Sequence, residues 1–389
     1  MKSLRILTTV HLANHGGCIF AYSLYQILTK NLPGYDIRTL DYLPRNWYFH
    51  ELARALKPQS HALTYNLRRF VLSEKFHNKY LNMDKPTAMY PTGYDGMVDL
   101  LTKQQYDALV VGMVIWDITD LPQIPQFPNI YWLSEKIPSK KIAYAASGHR
   151  SQAPLIQKNL PVIQRILSSY ALIGVRDQIT WEMVLESKAD QVVPVFRVPD
   201  PAFMYEDQPT GVRQILAAHG VDFNRPLVGI LFHGKPEFSS ELCQFYRSKG
   251  FQTVAYSMYN PYADVNLGHL LTPFEWADTF KYLSFCVTDR FHGTIFCLRN
   301  KIPFLSIEPY APNTSRNSKV LSLINDFALP ECYRNVYQQE FEMQNFLGHA
   351  EDLRASWESD FSPRVARKLD EMQTNSLEFI EKTRSILLS

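Results

Sequence analysis

The chain has 389 residues, of which 46% are hydrophobic and 20% charged, and its formal net charge is +2. This composition is typical of a globular protein with large buried cores, and the length suggests two domains. No block of lysine and arginine suggests nucleic-acid binding, and no apolar run approaches the roughly 18 residues of a membrane-spanning helix. The short apolar run that opens the chain does not resemble a signal peptide.

The cysteines also bear on the class of protein. There are five, without a CxxC pair, and they are scattered over the chain as Cys18, Cys243, Cys286, Cys297 and Cys332. This usage favours a reducing cytoplasm and argues against a zinc site.

Strand-like and helical runs alternate through the first half. The stretch "LRILTTV" predicts a strand, "HLANHGG" a loop and "CIFAYSLYQILTKNL" a helix, which is how a βαβ unit begins. A second strand follows in "YDIRTLDY", and the aromatic-rich residues 45–95 predict helices inserted above the sheet. Further strands are predicted in "YDALVVGM", "KKIAYAASGHR", "YALIGVRD" and "QVVPVFRVPDPAF". Residues 1–205 are therefore interpreted as one Rossmann-like domain.

The same alternation restarts in the second half. Four apolar runs of strand length, "RPLVGILFHGK", "FQTVAYSM", "LSFCVTD" and "IPFLSIEP", are separated by helical runs. We interpret residues 206–350 as a second Rossmann-like domain that begins with a linker at 206–225. Residues 351–389 are predicted to be a helical tail that packs on, or crosses back to, the N-terminal domain. The predicted fold class is α/β, with two Rossmann-like domains facing across a cleft.

The most informative stretch is "VTDRFHGTIF", in which Asp289, Arg290 and His292 follow a buried strand and begin a helix. Ligands of parallel α/β sheets bind at the carboxyl ends of strands, and helix N-termini attract anions. Arginine binds phosphate or carboxylate through a planar fork, and histidine passes protons near neutral pH. These residues predict chemistry on a phosphorylated or carboxylated substrate. His292 could instead be a helix cap or a core histidine, and for Asp289 we favour a structural role.

A family resemblance rests on these residues. The stretch "TDRFHGTIFCLRNKIPFLSI" strongly resembles the signature of the polysaccharide pyruvyltransferase family. Further stretches similar to the family follow one another in the right order: "ANHGGCIFAYSLYQIL", "YDALVVG", "KKIAYAASGHR", "GVRDQITWEMV", "VPDPAF" and "NSKVLSLINDFALPE". The resemblance runs from about residue 5 to 330. One departure is "GMVIWDITD", where Met113 and Val114 replace glycine-rich residues of a loop that we expect to shape the acceptor pocket.

The resemblance implies a fold like that of the GT-B glycosyltransferases, with phosphoenolpyruvate as donor and a sugar as acceptor. The product would be a pyruvate ketal in surface polysaccharide biosynthesis, with phosphate released in the cytoplasm. By this resemblance phosphoenolpyruvate would be a co-substrate, and neither a cofactor nor a metal is expected. Whether the acceptor is free, nucleotide-linked or lipid-linked stays open, as do contact with the inner face of the membrane and the oligomeric state.

For the donor, the resemblance implies that Arg176 and Arg290 bind the phosphate and carboxylate. His292 is our candidate for proton transfer, although it could only hold the phosphate. Lys319 is a further donor-site candidate, because a lysine at the start of a helix is unfavourable unless an anion is held there. The alternatives are a surface pair of Arg176 with Asp177 and a solvated Lys319.

For the acceptor, the loop of Asn14, His15, Gly16 and Gly17 is expected to line the pocket together with His149. A plain strand-to-helix turn explains the same loop equally well. Two rival classes of function remain open. One is a nucleotide-sugar-dependent glycosyltransferase of the same shape, and the other is a non-catalytic scaffold on this fold.

Overall fold

The computed structural model describes residues 1–56, 64–84, 93–121, 124–233, 235–308 and 318–389. In these ranges the N-terminal half contains the strands β1 (Lys2–Leu7), β2 (Tyr35–Leu40), β3 (Met83–Asp84), β4 (Ala108–Val114), β5 (Lys140–Ser147), β6 (Leu172–Val175) and β7 (Val195–Arg197). The C-terminal half contains β8 (Leu227–Leu231), β9 (Gln252–Ala255), β10 (Val265–Asn266), β11 (Leu283–Thr288), β12 (Phe304–Ile307) and β13 (Tyr333–Arg334).

Each half forms one parallel sheet. The order is β3-β2-β1-β4-β5-β6-β7 in the first sheet and β10-β9-β8-β11-β12-β13 in the second. Both orders follow the Rossmann pattern, in which the chain first winds one way from the central strand and then the other. The central strands β4 and β11 are almost fully buried, as expected for parallel strands covered on both faces. The predicted fold class is confirmed.

Helices cover both faces of the sheets. They are α1 (His15–Asn31), α2 (Arg45–Ala55), α3 (Tyr65–Tyr80), α4 (Tyr94–Gln104), α5 (Ala153–Leu167), α6 (Gln178–Glu186), α7 (Val212–Ala218), α8 (Pro236–Ser248), α9 (Pro273–Thr279), α10 (Phe291–Arg299), α11 (Lys319–Asp326), α12 (Met343–Ser356) and α13 (Ser362–Leu388). None of the helices in the described ranges is long and apolar enough to cross a membrane.

The terminal helix α13 contributes to both hydrophobic cores. Val365 and Met372, in its first half, pack into the core around the second sheet. Phe379 and Leu387, in its second half, pack into the core around the first sheet. The last turn is also tied to the first sheet, since the Tyr35 hydroxyl donates a 2.6 Å hydrogen bond to the Leu387 carbonyl. The chain therefore ends on the half where it began.

The insertion between β2 and β4 contains α2 and α3, which lie within the residues 45–95 for which helices were predicted, and α4, which begins at Tyr94 and extends beyond them. Parts of that insertion, residues 57–63 and 85–92, lie outside the described residues, as do Pro309 and Asn317 at the ends of two quoted stretches. One expectation is wrong: Met113 and Val114 do not belong to a loop, because they are the last two residues of β4. Met113 has a φ of 90° and its side chain is buried.

Candidate active site

The turn between β11 and α10 is held by Asp289. One carboxylate oxygen, Oδ2, accepts a 3.2 Å hydrogen bond from the backbone N–H of His233, and the other lies 2.7 Å from Arg290 Nε. The Thr288 hydroxyl accepts a 3.0 Å bond from the Arg290 N–H. Asp289 therefore has the structural role that we favoured, since it fixes the turn and orients Arg290.

His292 lies in the first turn of α10, at the contact between the two halves. Its side chain is 10% exposed, and its Nε2 lies 3.6 Å from Asp200 Oδ2. A Cβ on Gly16 would lie only 2.3 Å from the His292 Cβ, so the absence of a side chain at Gly16 lets the imidazole sit there. Burial lowers the pKa of His292, although the neighbouring Asp200 opposes this effect. The ring is thus held by both halves of the molecule.

Arg176 follows β6 and forms a buried ion pair with Asp200, which follows β7. Both side chains are almost inaccessible, at 2% and 1% exposure. The alternative pairing with Asp177 is wrong, because Asp177 caps α6 by accepting a 3.0 Å bond from Thr180 N. Among the residues that the structure describes, Arg176 Nε and Nη2 have no hydrogen-bond partner. Buried donors without partners are rare in folded proteins, so this guanidinium is suited to receive a ligand.

Lys319 approaches the same place from α11. The ring of Phe291 is close to both cations, with its centroid 4.6 Å from Arg176 Cζ and 5.4 Å from Lys319 Nζ. Burial, together with the positive charges of Arg176 and Arg150, lowers the pKa of Lys319 to about 7. Lysine at a helix N-terminus also opposes the helix dipole. An anion bound here would offset both the burial of the Lys319 charge beside other cations and its unfavourable interaction with the helix dipole.

A cavity of about 290 Å³ opens beside these groups. It is lined by Arg176, Asp200, Phe291 and Lys319, among other residues, and α13 closes one side through Lys368. Its volume is close to the lower end, roughly 300 Å³, of pockets that hold small molecules. Four of the lining side chains are basic and four are acidic, so a compact anion would fit the size of the cavity and would bind at the corner formed by Arg176 and Lys319.

Arg290 belongs to a second group of cations. Its side chain is 42% exposed and, with His233 and Lys235, it lies at the strand ends of the second sheet. Burial lowers the pKa of Lys235 to about 8, and Arg290 contributes in the same direction. Lys235 Nζ also donates a 3.0 Å bond to the Glu308 carbonyl and lies 4.1 Å from the Tyr337 ring centroid. The structure thus groups Arg176, His292 and Lys319 together, with Arg290 in a neighbouring group.

The residues predicted for the acceptor side have close partners within the protein. Asn14 caps α1 by accepting a 3.2 Å bond from Gly17 N. His15 is buried, lies 3.1 Å through Nε2 from the Leu271 carbonyl and stacks on Trp276. Burial lowers the pKa of His15 to about 3, so its ring is neutral and joins the two halves.

Two predicted acceptor residues remain. A Cβ on Gly17 would lie 2.7 Å from Met113 Cε, the flexible end of a side chain, so α1 packs closely on β4 at this point. His149, just after β5, is 2% exposed.

Sequence reasoning missed three contributors. Asp200 lies in the quoted "VPDPAF". It could have been recognised from the sequence as an acidic residue that follows a predicted strand. Phe291 stands between Arg290 and His292, but its contact with two cations depends on the fold. Arg150 pairs with Asp117 through a 2.7 Å bond between Nε and Oδ2, and the two residues come from loops after different strands.

The two facing Rossmann-like halves define an α/β protein of GT-B-like architecture. UDP-GlcNAc 2-epimerase from Neisseria meningitidis, bound to UDP-GlcNAc, has a TM-score of 0.53 at 12% identity, over 98% of this chain and 99% of that chain. UGT73P12 from Glycyrrhiza uralensis, complexed with glycyrrhetinic acid 3-O-monoglucuronide, has a TM-score of 0.52 at 9% identity, over 100% and 96%. At such identities the likeness shows the fold alone. No curated protein sequence matches the chain.

The family is shown by its sequence model. The model of the family "Polysaccharide pyruvyl transferase" matches residues 14–309, which is more than half of the chain. The chain belongs to the polysaccharide pyruvyl transferase family.

Proposed function

We propose that this protein transfers pyruvate from phosphoenolpyruvate to two hydroxyls of a sugar, forming a pyruvate ketal and releasing phosphate. The observation that carries the proposal is the buried guanidinium of Arg176. Two of its donors have no partner among the described residues, and it lies beside Lys319, with the imidazole of His292 across Asp200. Family membership supports the same reaction.

The donor carries two anionic groups, and the site offers two groups of cations. Arg176 with Lys319 would hold one anion, and Arg290 with Lys235 would hold the other. An arginine–phosphate or arginine–carboxylate contact is short and often bidentate, so it fixes orientation as well as affinity. Both groups adjoin the start of α10, because Arg290 is its N-cap and His292 lies in its first turn. The vinyl carbons of the donor would then lie near His292.

The chemistry needs a proton carrier at that position. A proton is added to the methylene carbon of the donor, and the neighbouring carbon gains cationic character. A sugar hydroxyl attacks that carbon and loses its proton. The second hydroxyl then displaces phosphate, and the acceptor has gained one pyruvate less one water. His292 would deliver and remove these protons, while Asp200 holds the imidazole. Proton transfer by a positioned side chain of this kind is worth about 100- to 10,000-fold in rate.

The acceptor and the cellular setting are part of the proposal. We infer a glycan of surface polysaccharide synthesis as acceptor and the cytoplasm as the place of reaction. The acceptor's form, whether free, nucleotide-linked or lipid-linked, is to be read from the experiment. A nucleotide-sugar-dependent glycosyltransferase is the competing class, because it would share the GT-B-like fold.

The test incubates the full chain with phosphoenolpyruvate and a panel of free, nucleotide-linked and lipid-linked sugars. Phosphate release is followed with time, and products are weighed by mass spectrometry for a gain of one pyruvate less one water. Arg176→Lys should lose most of the activity, because the planar fork is lost. Arg165→Lys is the matched control, at an exposed arginine paired with Glu135, and it should keep the wild-type activity. Release of a nucleoside diphosphate from a nucleotide sugar, without phosphate release from phosphoenolpyruvate, would overturn the proposal.

A further inference from the structure

A second cluster of potential ligands lies apart from the donor cations, where the insertion meets the first sheet. His11 stands in the loop after β1 with a φ of 61°, and Glu74 and His77 lie one turn apart on α3. Residues three apart on a helix share a face, so both α3 side chains point toward His11. One ligand atom from each of the three residues lies within 4.8 Å of the other two.

The contacts within the cluster orient these atoms. His11 Nδ1 lies 2.8 Å from one carboxylate oxygen of Glu74 and 2.9 Å from the other. His77 Nδ1 faces the backbone N–H of His11 at 3.4 Å. Two ligands of a tetrahedral ion with bonds of about 2.1 Å lie roughly 3.4 Å apart, so His11 and Glu74 would have to separate by about half an ångström to admit one. To bind an ion, His77 Nδ1 would give up the hydrogen bond that it accepts from the His11 N–H, and the three side chains would then form a three-sided site.

The outer partners have the arrangement found around metal-binding histidines. The other ring nitrogen of His11, Nε2, contacts the carboxylate of Asp41, which follows β2. The other ring nitrogen of His77, Nε2, lies 3.4 Å from Cys18 Sγ. In metal sites the second nitrogen of a ligating histidine is usually held by a carboxylate or another polar group, which fixes the ring and strengthens it as a ligand.

We propose that His11, Glu74 and His77 form a site for a divalent transition metal, with Zn²⁺ as the best match. Two imidazoles and one carboxylate are ligands that Zn²⁺ prefers, and three protein ligands leave a coordination position open. The site would tie α3 to the loop that leads into α1. Nothing in the proposed pyruvyl transfer requires this ion, so the two proposals stand or fall separately.

A metal-free arrangement is the competing explanation. Against the effect of burial, the contacts with Asp41 and Glu74 raise the pKa of His11 to about 9. A protonated His11 between two carboxylates would satisfy all three side chains without an ion. Only one of the two arrangements binds a metal with defined stoichiometry, so the two are separable by direct titration.

The test uses the full chain after dialysis against a chelator. Zn²⁺ is titrated in competition with a chromophoric chelator, and Co²⁺ in a parallel sample is followed by its visible absorption. The expected result is one ion per chain. Glu74→Gln and His77→Gln should each lose at least tenfold in affinity, and Asp41→Asn should lose about 10- to 100-fold. His50→Gln, at an exposed histidine on α2, should bind as the wild type does.

Folding of each variant is checked by circular dichroism, since His77 is buried. If His77→Gln does not fold, Glu74→Gln and Asp41→Asn decide, because Glu74 has a side chain that is 25% exposed. The proposal is overturned if the wild type binds no ion at stoichiometric concentration, or if folded Glu74→Gln binds as tightly as the wild type. A binding loss shared by His50→Gln would also overturn it.

Discussion

Lys319 is expected to control the pH dependence of donor capture. Burial and the nearby cations Arg176 and Arg150 lower its pKa to about 7. The proposed donor is an anion, so it should bind best when Lys319 is protonated. kcat/KM for phosphoenolpyruvate should therefore fall as pH rises through about 7, because this ratio reports the ionisation of the free enzyme.

The size of the effect follows from the titration. Each pH unit above the pKa lowers the protonated fraction about tenfold, so Lys319 alone should make kcat/KM at pH 9 about 100-fold lower than at pH 6. kcat should vary less, since a bound anion raises the pKa of a neighbouring cation. Lys319→Arg keeps the positive charge at all these pH values, so its kcat/KM should lose the fall near pH 7 and keep only a smaller fall above pH 8, where Lys235, with a pKa of about 8, loses its proton.

The assay is initial-rate phosphate release at several donor concentrations in overlapping buffers. Lys368→Arg is the control, because this lysine lines the same cavity but pairs with Glu371 at 2.6 Å. The control should keep the wild-type pH dependence. If Lys319→Arg also keeps it, another group titrates near pH 7 and the reasoning about Lys319 is refuted.

Three further predictions concern His292 and its surroundings. Gly16→Ala places a Cβ 2.3 Å from the His292 Cβ and should lower kcat by about 100-fold, whereas Gly34→Ala, with no atom within 4 Å, should leave kcat unchanged. Equal kcat values for the two variants would contradict the packing argument. His292→Asn should bind phosphoenolpyruvate within about tenfold, or ~1.4 kcal/mol, while its single-turnover rate falls about 100-fold or more. Near-wild-type turnover at donor saturation would remove His292 from proton transfer. Asp200→Asn leaves the Arg176 charge buried without its partner, so the free energy of unfolding in urea should drop by about 3–5 kcal/mol. An unchanged unfolding midpoint would show that the pair does not stabilise the fold.

The fold could be predicted because buried parallel strands leave a clear trace in sequence. β4 and β11 read as continuous apolar runs, and each is followed by turn residues and a helical pattern. The strands β3, β10 and β13 have two residues each, which is too short for any periodicity to show. These three strands lie at or near the sheet edges, where pairing with a neighbour, not local sequence, defines the strand.

The site could be predicted only in part, for reasons of geometry. We expected the residues that follow strands to lie together at the carboxyl ends of the sheets. Arg176, His292 and Lys319 do lie together, around Phe291 and Asp200. Arg290, however, is the extended N-cap of α10 and lies against Asp289, whereas His292 lies inside the first turn against Asp200. That divergence creates two groups of cations where the sequence predicted one. The pairing of Arg176 with Asp200 depends on β6 and β7 lying side by side, which local sequence does not reveal.

Binding of the proposed donor would itself favour protonation of the side chains that act on it, and the position of Asp200 bears on this effect. Its carboxylate contacts Arg176 in its own half and lies 3.6 Å from His292 in the other, so it offsets the charge of the arginine. Without a ligand, burial keeps the pKa of His292 low and that of Lys319 near 7. A bound donor brings negative charge beside both groups, and negative charge raises the pKa of a neighbouring base. Donor binding would then favour protonation of His292 and Lys319 at the moment when the donor's methylene carbon needs a proton. The low pKa of His292 in the free protein is therefore consistent with a role as acid in the complex.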